Sequence, residues 1–255
     1  MKNKPDIKYF NDYSHDFVKS NHQDIKFPEN YRFIYKNVFY RIAAGIVYGI
    51  ACLFGMFYSK LVLHVKIENK EVLSQEDRTG FFLYGNHTQP VGDVFAPTQY
   101  VFPKRIYTIA STANLGIPVI GKILPMLGAL IVPDSMEHMK EFMKGLKYHI
   151  EHKRCIVIYP EAHVWPYCSF IRPMPVTSFR FPVVYQVPAY CMTTTYQKRK
   201  FGNKPKITVY IDGPFLAVKG TNPKEEQKRL HDEIYKCMQK RSKCSTYEYI
   251  RYEKE

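Results

Sequence analysis

The sequence predicts an α/β protein: a mixed, largely parallel sheet flanked by helices, with an N-terminal membrane-associated helical segment. Three observations predict it. Short apolar runs alternate with helical patterns across residues 61–240, the order that builds a sheet with crossover helices. One run, CIVIY at Cys155–Tyr159, is apolar throughout, as a strand covered on both faces is. Ahead of these, Ile42–Ser59 holds 18 consecutive uncharged residues between Arg41 and Lys60, which reaches the length of a membrane segment. The expected division is therefore 1–60, a polar segment and apolar membrane helix, and 61–255, the α/β domain.

Residues 1–35 mix polar and aromatic side chains without a period and read as irregular structure or short helix. As a helix, Ile42–Ser59 spans about 27 Å, slightly less than a ~30 Å hydrocarbon core. It is not a signal peptide, because 41 residues precede it and no small-residue cleavage site follows. Tyr40, Tyr48, Phe57 and Tyr58 suit a membrane interface. Leu61–Ile67 alternates like a half-buried strand, with His64 as a structural histidine. Further strands are expected at 81–84, 106–110, 129–132, 155–159, 189–195 and 207–211. Asp93–Val101 reads as a helix and Ile117–Leu127 as a short helix or loop. Met136, Met139, Phe142, Met143, Leu146 and Ile150 trace one core-facing helical stripe. Asp134, with Glu137 three residues on, is its expected N-cap. Asn222-Pro223 and Glu225 open a last helix reaching about Lys240.

Lys and Arg total 37 against 23 Asp and Glu, a net charge of +14. Such an excess favours anionic partners: nucleic acid, an acidic membrane surface or phosphorylated substrates. No nucleic-acid recognition motif occurs, and nucleic-acid binding leaves Ile42–Ser59 unexplained. Membrane lipids are the expected partner and nucleic acid is not. Six cysteines lie scattered without a C-x-x-C, in a chain long enough to need no disulfide staples. They read as reduced thiols, with the domain facing the cytoplasm.

Functional groups in open α/β sheets gather at the carboxyl ends of strands. Two polar constellations sit at such ends: Asn86-His87 with Asp93 after FFLY, and Pro160-Glu161-Ala162-His163 after CIVIY. A carboxylate that holds one imidazole nitrogen leaves the other to take a proton, the arrangement of a general base. Two histidines and two carboxylates also suit a metal, but no H-E-x-x-H spacing appears and no metal is expected. The absence of G-x-S-x-G and of a phosphate-binding G-x-x-x-x-G-K-[ST] loop argues against nucleophilic serine and nucleotide chemistry.

Four blocks then occur in order: NHTQPVGD at Asn86–Asp93, GALIVPD at Gly128–Asp134, YPEAH at Tyr159–His163 and VPAY at Val187–Tyr190. They resemble the blocks of the glycerolipid acyltransferases of the lysophosphatidic acid acyltransferase type, over about residues 60–215. The resemblance implies a membrane-associated O-acyltransferase. It would move a fatty acyl group from an acyl-CoA or acyl carrier protein thioester to a hydroxyl of a lysophospholipid or related lipid. By resemblance, His87 is the general base and Asp93 orients and polarises it. The hydroxyl attacks the thioester directly, with no covalent acyl-enzyme and no bound cofactor. Glu161 positions the acceptor, with Asn86, Gly128, Asp134, Pro160 and His163 in the same substrate-binding set. Arg172, in SFIRP, roughly matches a basic residue of the family and reads either as a phosphate contact or as a surface arginine. The alternative is a non-catalytic lipid-binding relative on the membrane surface.

The sequence departs from the family pattern in three places. Five residues separate His87 from Asp93, where the family has four. On a helix the extra residue would turn the Asp away from the His; Pro90 and Gly92 point to a turn that absorbs it. Ala162 and His163 replace a Gly-Thr. Asp134 replaces the Arg that closes the second block. It either caps the following helix or faces a pocket, where it would repel phosphate and suit an unphosphorylated hydroxyl.

Overall fold

The computed structural model describes residues 4–18, 25–76 and 79–255. Strand β1 (Asp6–Phe10) pairs in parallel with β9 (Ile250–Lys254) in a separate two-stranded sheet. The main sheet contains β2 (Lys66–Glu68), β3 (Phe81–Gly85), β4 (Ile106–Ala110), β5 (Ala129–Ile131), β6 (Cys155–Ile158), β7 (Ala189–Gln197) and β8 (Lys206–Phe215). Their order is β2-β8-β7-β3-β6-β4-β5. Among the described residues only β7 and β8 pair antiparallel. The sheet is mixed and mostly parallel, as its sequence predicts.

β3 and β6 are buried along their whole length, which explains their unbroken apolar runs. Successive side chains leave a strand on opposite faces, so each strand feeds two cores. Phe82, Tyr84, Ile156 and Ile158 meet Phe142 and Leu146 of α5 (Met136–Glu151) and Ile234 and Met238 of α7 (Pro223–Ser242). Phe81, Leu83, Cys155 and Val157 form the other core with Tyr100 and Val101. Phe27 and Phe33 also lie in the first core.

Helix α1 (Val38–Phe57) starts earlier than expected, because Asn37 caps it by accepting from the Tyr40 N–H at 3.0 Å. It runs on into a π-helical turn, Tyr58–Val62. Leu61–Ile67 is therefore not a strand. Leu61 and Val62 belong to the turn, His64 is exposed with φ 54, and β2 begins only at Lys66. α1 docks lengthwise on the domain. Ala44, Cys52 and Gly55 face inward, and the Tyr48 hydroxyl accepts from the Ile106 N–H at 2.8 Å. Gly55 lies so close to Phe95 that a Cβ would sit 2.8 Å from its ring. Phe39, Ile42, Ile46, Ile50, Leu53 and Phe57 form an exposed apolar face.

The helix expected over Asp93–Val101 is two short ones, α2 (Gly92–Phe95) and α3 (Thr98–Val101). They are separated at Pro97, which brings no N–H to a continuing helix. α4 (Ile120–Leu127) precedes β5, and α6 (Arg180–Tyr185) precedes β7. At α5 the cap is Ser135, not Asp134. Ser135 is extended at φ −117, ψ 155, and its Oγ accepts from the His138 N–H at 3.2 Å. Asp134 lies one residue outside that position and is exposed. Met136, expected in the core stripe, is 79 % exposed at the first position of the helix.

His149 of α5 is buried among cations. Arg154 has no lone pair to offer, so His149 Nδ1 accepts from Arg154 Nη1 at 2.6 Å and Nε2–H donates to the Phe33 carbonyl at 3.1 Å. Burial first, then the Arg154 charge, lowers the His149 pKa from 6.5 to about 3. The unfolded chain therefore takes up this proton first, and stability is complete above about pH 6.5 and falls as pH drops toward 3. His149→Gln keeps a donor and an acceptor but does not titrate. Thermal unfolding between about pH 6.5 and pH 4 should show the wild type losing up to about 1.4 kcal/mol more per pH unit than the variant. Parallel curves would place the acid sensitivity elsewhere.

Candidate active site

β3 and β6 are neighbours with Tyr84 opposite Ile158, so the loops leaving their carboxyl ends start side by side. On the other flank Gly85 lies opposite Met192, and β7 continues five residues beyond it to Gln197. This overhang is the wall on which the first loop is built. Asn86 Nδ2 donates to the Thr194 carbonyl at 3.0 Å, and its Oδ1 accepts from the Thr194 N–H at 2.8 Å. The side-chain amide thus replaces a backbone rung where β3 ends. Tyr196 Oη donates to Thr88 Oγ1 at 2.7 Å and accepts from Gln89 Nε2 at 2.9 Å.

Asp93 closes the turn. One oxygen, Oδ2, accepts from His87 Nδ1, Thr88 N and Gln89 N, each at 2.8 Å. The fifth intervening residue is taken up in this turn, and the imidazole and carboxylate meet. His87 stacks on Tyr159 with ring centroids 4.5 Å apart and an 18° interplanar angle. The Tyr159 hydroxyl donates to the Asp93 carbonyl at 2.5 Å. Burial raises the Tyr159 pKa well above its usual value, so the phenol stays protonated as a donor. The His87 side chain remains 18 % exposed against 4 % for Asp93. Among the described residues Nε2 makes no hydrogen bond, so it is available to accept a proton.

Behind this pair lies a buried ion pair. Glu161 Oε2 accepts from the His87 N–H at 2.9 Å and from Arg172 Nη2 at 2.8 Å, while Oε1 accepts from the Arg172 N–H at 2.9 Å. The Glu161 and Arg172 side chains are 0 % and 1 % exposed. Arg172 also donates to the His163 carbonyl, and its guanidinium lies 4.7 Å from the Trp165 ring. The two charges thus pair with each other, Glu161 also holds the His87 N–H, and neither side chain reaches the surface, while Arg172 Nε and Nη1 are buried without a partner among the described residues. Ala162, in place of the family's glycine, keeps φ 62, a left-handed conformation that costs a non-glycine residue about 1–2 kcal/mol.

The other sequence candidates are dispersed. Pro160 is buried. His163 is half-exposed, with Nδ1 3.7 Å from Asp16 Oδ2. Gly128 has φ 94 at the end of α4, and a Cβ there would meet the Ile106 carbonyl at 2.4 Å. That close approach is a structural reason for glycine. Asp134 follows β5, three strands from β3, which is about 14 Å at the usual strand spacing. Sequence reasoning missed the roles of Tyr159, Tyr196 and Thr194. Tyr159 was legible as the first residue past a buried strand that neighbours the histidine loop. The other two depend on how far β7 overhangs, which no local pattern records.

Among the described residues, Cys191, Asp212 and Cys237 bring ligand atoms within 4.8 Å of one another. Asp212 is already forked by Arg241, with Nε–Oδ2 2.8 Å and Nη2–Oδ1 2.5 Å. Both carboxylate oxygens of Asp212 are therefore already engaged by a cation.

Residues 64–188 match the family described as Acyltransferase. The chain is similar in structure to the 1-acyl-sn-glycerophosphate (LPA) acyltransferase PlsC from Thermotoga maritima, with a TM-score of 0.57. The two share 15 % identity over 82 % of this chain and 84 % of that one, which is evidence for a common fold. No curated protein matches the sequence. The matched span holds all of the first three blocks and enters the fourth, on a fold that an acyltransferase of known structure adopts, and over that span the chain is similar to the acyltransferase family.

Proposed function

We propose that the protein transfers a fatty acyl group from an acyl-CoA or acyl carrier protein thioester to a hydroxyl of a lysophospholipid or related lipid at a membrane surface. The observation that carries this reading is the His87–Asp93 pair at the mouth of the sheet. With Nδ1–H held by Asp93, Nε2 takes the acceptor's proton as the hydroxyl oxygen attacks the thioester carbonyl. The C–S bond breaks, and the leaving thiolate takes the proton back from the imidazolium, which Asp93 stabilises in the interval. Glu161 and Arg172 act on His87 through its backbone as positioning residues. The relative from Thermotoga maritima is described as acting on 1-acyl-sn-glycerophosphate, which supports an acceptor of that type.

Val38–Val62 is long and apolar enough to cross a bilayer. Its lengthwise docking supports a different placement, in which the exposed face of α1 lies in the interface like an amphipathic anchor. The cysteines are all free thiols, consistent with a domain facing the cytoplasm.

Purified protein supplied with labelled acyl-CoA or acyl carrier protein and a panel of lyso-lipids should form the acylated lipid and release free thiol. The wild type should stay on vesicles through a high-salt wash, because salt screens charge but not apolar insertion. Ile46→Glu with Ile50→Glu should release it, while transfer to a short-chain soluble acceptor persists. Vesicle binding without transfer to any acceptor would favour the non-catalytic alternative.

A further inference from the structure

A cavity lies at the end of the sheet opposite His87. Arg105 and Arg154 immediately precede the adjacent strands β4 and β6, so both stand at the amino ends, whereas His87 follows a carboxyl end. Together with Arg32 and Arg41 they line a cavity of about 420 Å³ beside the first turns of α1. Among the described residues no Asp or Glu lines it. Among the described residues none of the four arginines forms an ion pair with a carboxylate.

The two inner guanidiniums are held in place by aromatic rings and neutral acceptors. Arg105 lies 4.6 Å from the Tyr48 ring and 5.5 Å from that of Tyr107. Its Nη2 donates to the Met126 carbonyl at 2.7 Å, and its Nε is buried without a partner among the described residues. Arg154 lies 5.3 Å from Tyr107 and 5.4 Å from Tyr148, and donates to the Tyr107 hydroxyl at 3.1 Å. Cation–π contacts of this kind fix a guanidinium plane without neutralising it. Four like charges converging without a counter-ion destabilise one another, and an anion between them removes that cost. Donor-only forks match tetrahedral oxyanions better than point charges do. The volume suits a small headgroup. Val38 and Ile42, on the exposed apolar face of α1, are part of the lining.

We propose that this cavity binds the phosphate of an anionic phospholipid headgroup, distinct from the site at His87. The recognised chemistry is a phosphate oxyanion. The choice of a lipid over free phosphate rests on the interfacial placement of α1, but nothing in the proposal rests on acyl transfer. A headgroup held there would fix the end of α1 remote from the catalytic loop against the bilayer.

The test is calorimetric titration of the full chain, without acyl donor, with soluble dihexanoyl phosphatidylglycerol, dihexanoyl phosphatidylcholine and inorganic phosphate. Phosphatidylglycerol should bind saturably and more tightly than the other two. Arg32→Ala with Arg41→Ala, both on exposed residues, should weaken that binding by about tenfold per guanidinium removed. Arg105→Gln should weaken it as well. Lys198→Ala with Lys200→Ala, exposed charges after β7, should leave it unchanged. Wild-type affinity in the arginine pair variant, or equal loss in the lysine pair variant, would overturn the site. Tighter binding of inorganic phosphate than of lipid would overturn the lipid assignment. Acyl transfer to a detergent-dispersed acceptor should persist in the arginine pair variant, so failure of the cavity and failure of the His87 mechanism read out separately.

Discussion

His87→Ala should lower acyl-transfer turnover by about 10²–10⁴-fold, the usual loss when a general base is removed. The Tm should change little, because the loop is held by its backbone and by its neighbours. The His87 N–H stays on Glu161, the His87 carbonyl still accepts from the Trp165 N–H at 3.0 Å, and Asn86 stays clamped to Thr194. Asp93 sharpens the test. A single oxygen, Oδ2, receives all three donors, so asparagine can keep those bonds while losing the charge. Asp93→Asn should therefore lower turnover with a near-normal Tm, and Asp93→Ala should lower both. A His87→Ala protein with wild-type turnover would end the general-base mechanism. A silent Asp93→Asn would leave Asp93 as a turn-former only.

The second large effect lies in the buried ion pair. Glu161→Ala leaves the Arg172 charge without its carboxylate in a site with 1 % exposure. Breaking one side of such a pair costs about 3–5 kcal/mol. Urea unfolding should show that loss, and turnover should fall too, because the His87 N–H loses its acceptor. Combining Glu161→Ala with Arg172→Met should recover part of the stability, since neither charge is then stranded. A phosphate contact at Arg172 makes the opposite forecast. Unchanged stability in Arg172→Met, with KM raised only for a phosphorylated acceptor, would restore that contact.

The parts that were legible in the sequence are the local ones. FFLY and CIVIY announce central strands because both faces of each are buried, and polar residues directly past such runs must emerge at the sheet edge. The His87–Asp93 pairing was readable through Pro90 and Gly92, which force a turn instead of a helix. What stayed hidden depends on distant partners. Glu161 and Arg172 are eleven residues apart and meet only because the chain folds back under His87. Their residue types suit a substrate phosphate equally well until burial is known. Asp134 and Ser135 are both capping residues, and which one caps follows from where extended backbone ends. The short strand Asp6–Phe10 owes its existence to Ile250–Lys254, far beyond the reach of any periodicity.

That last pairing has a consequence for the order in which the protein assembles during synthesis. β1 has no partner until β9 is made about 240 residues later, roughly 10–50 s at ordinary elongation rates. Phe10, Phe17 and Tyr252 pack on Trp165, and Trp165 in turn lies over the guanidinium of Arg172. The aromatic cover over the ion pair behind His87 is therefore among the last parts to be completed. A nascent chain can build the main sheet and dock α1 well before it can seal that support, so the backing of the His87 loop is completed late, after the domain already has its shape.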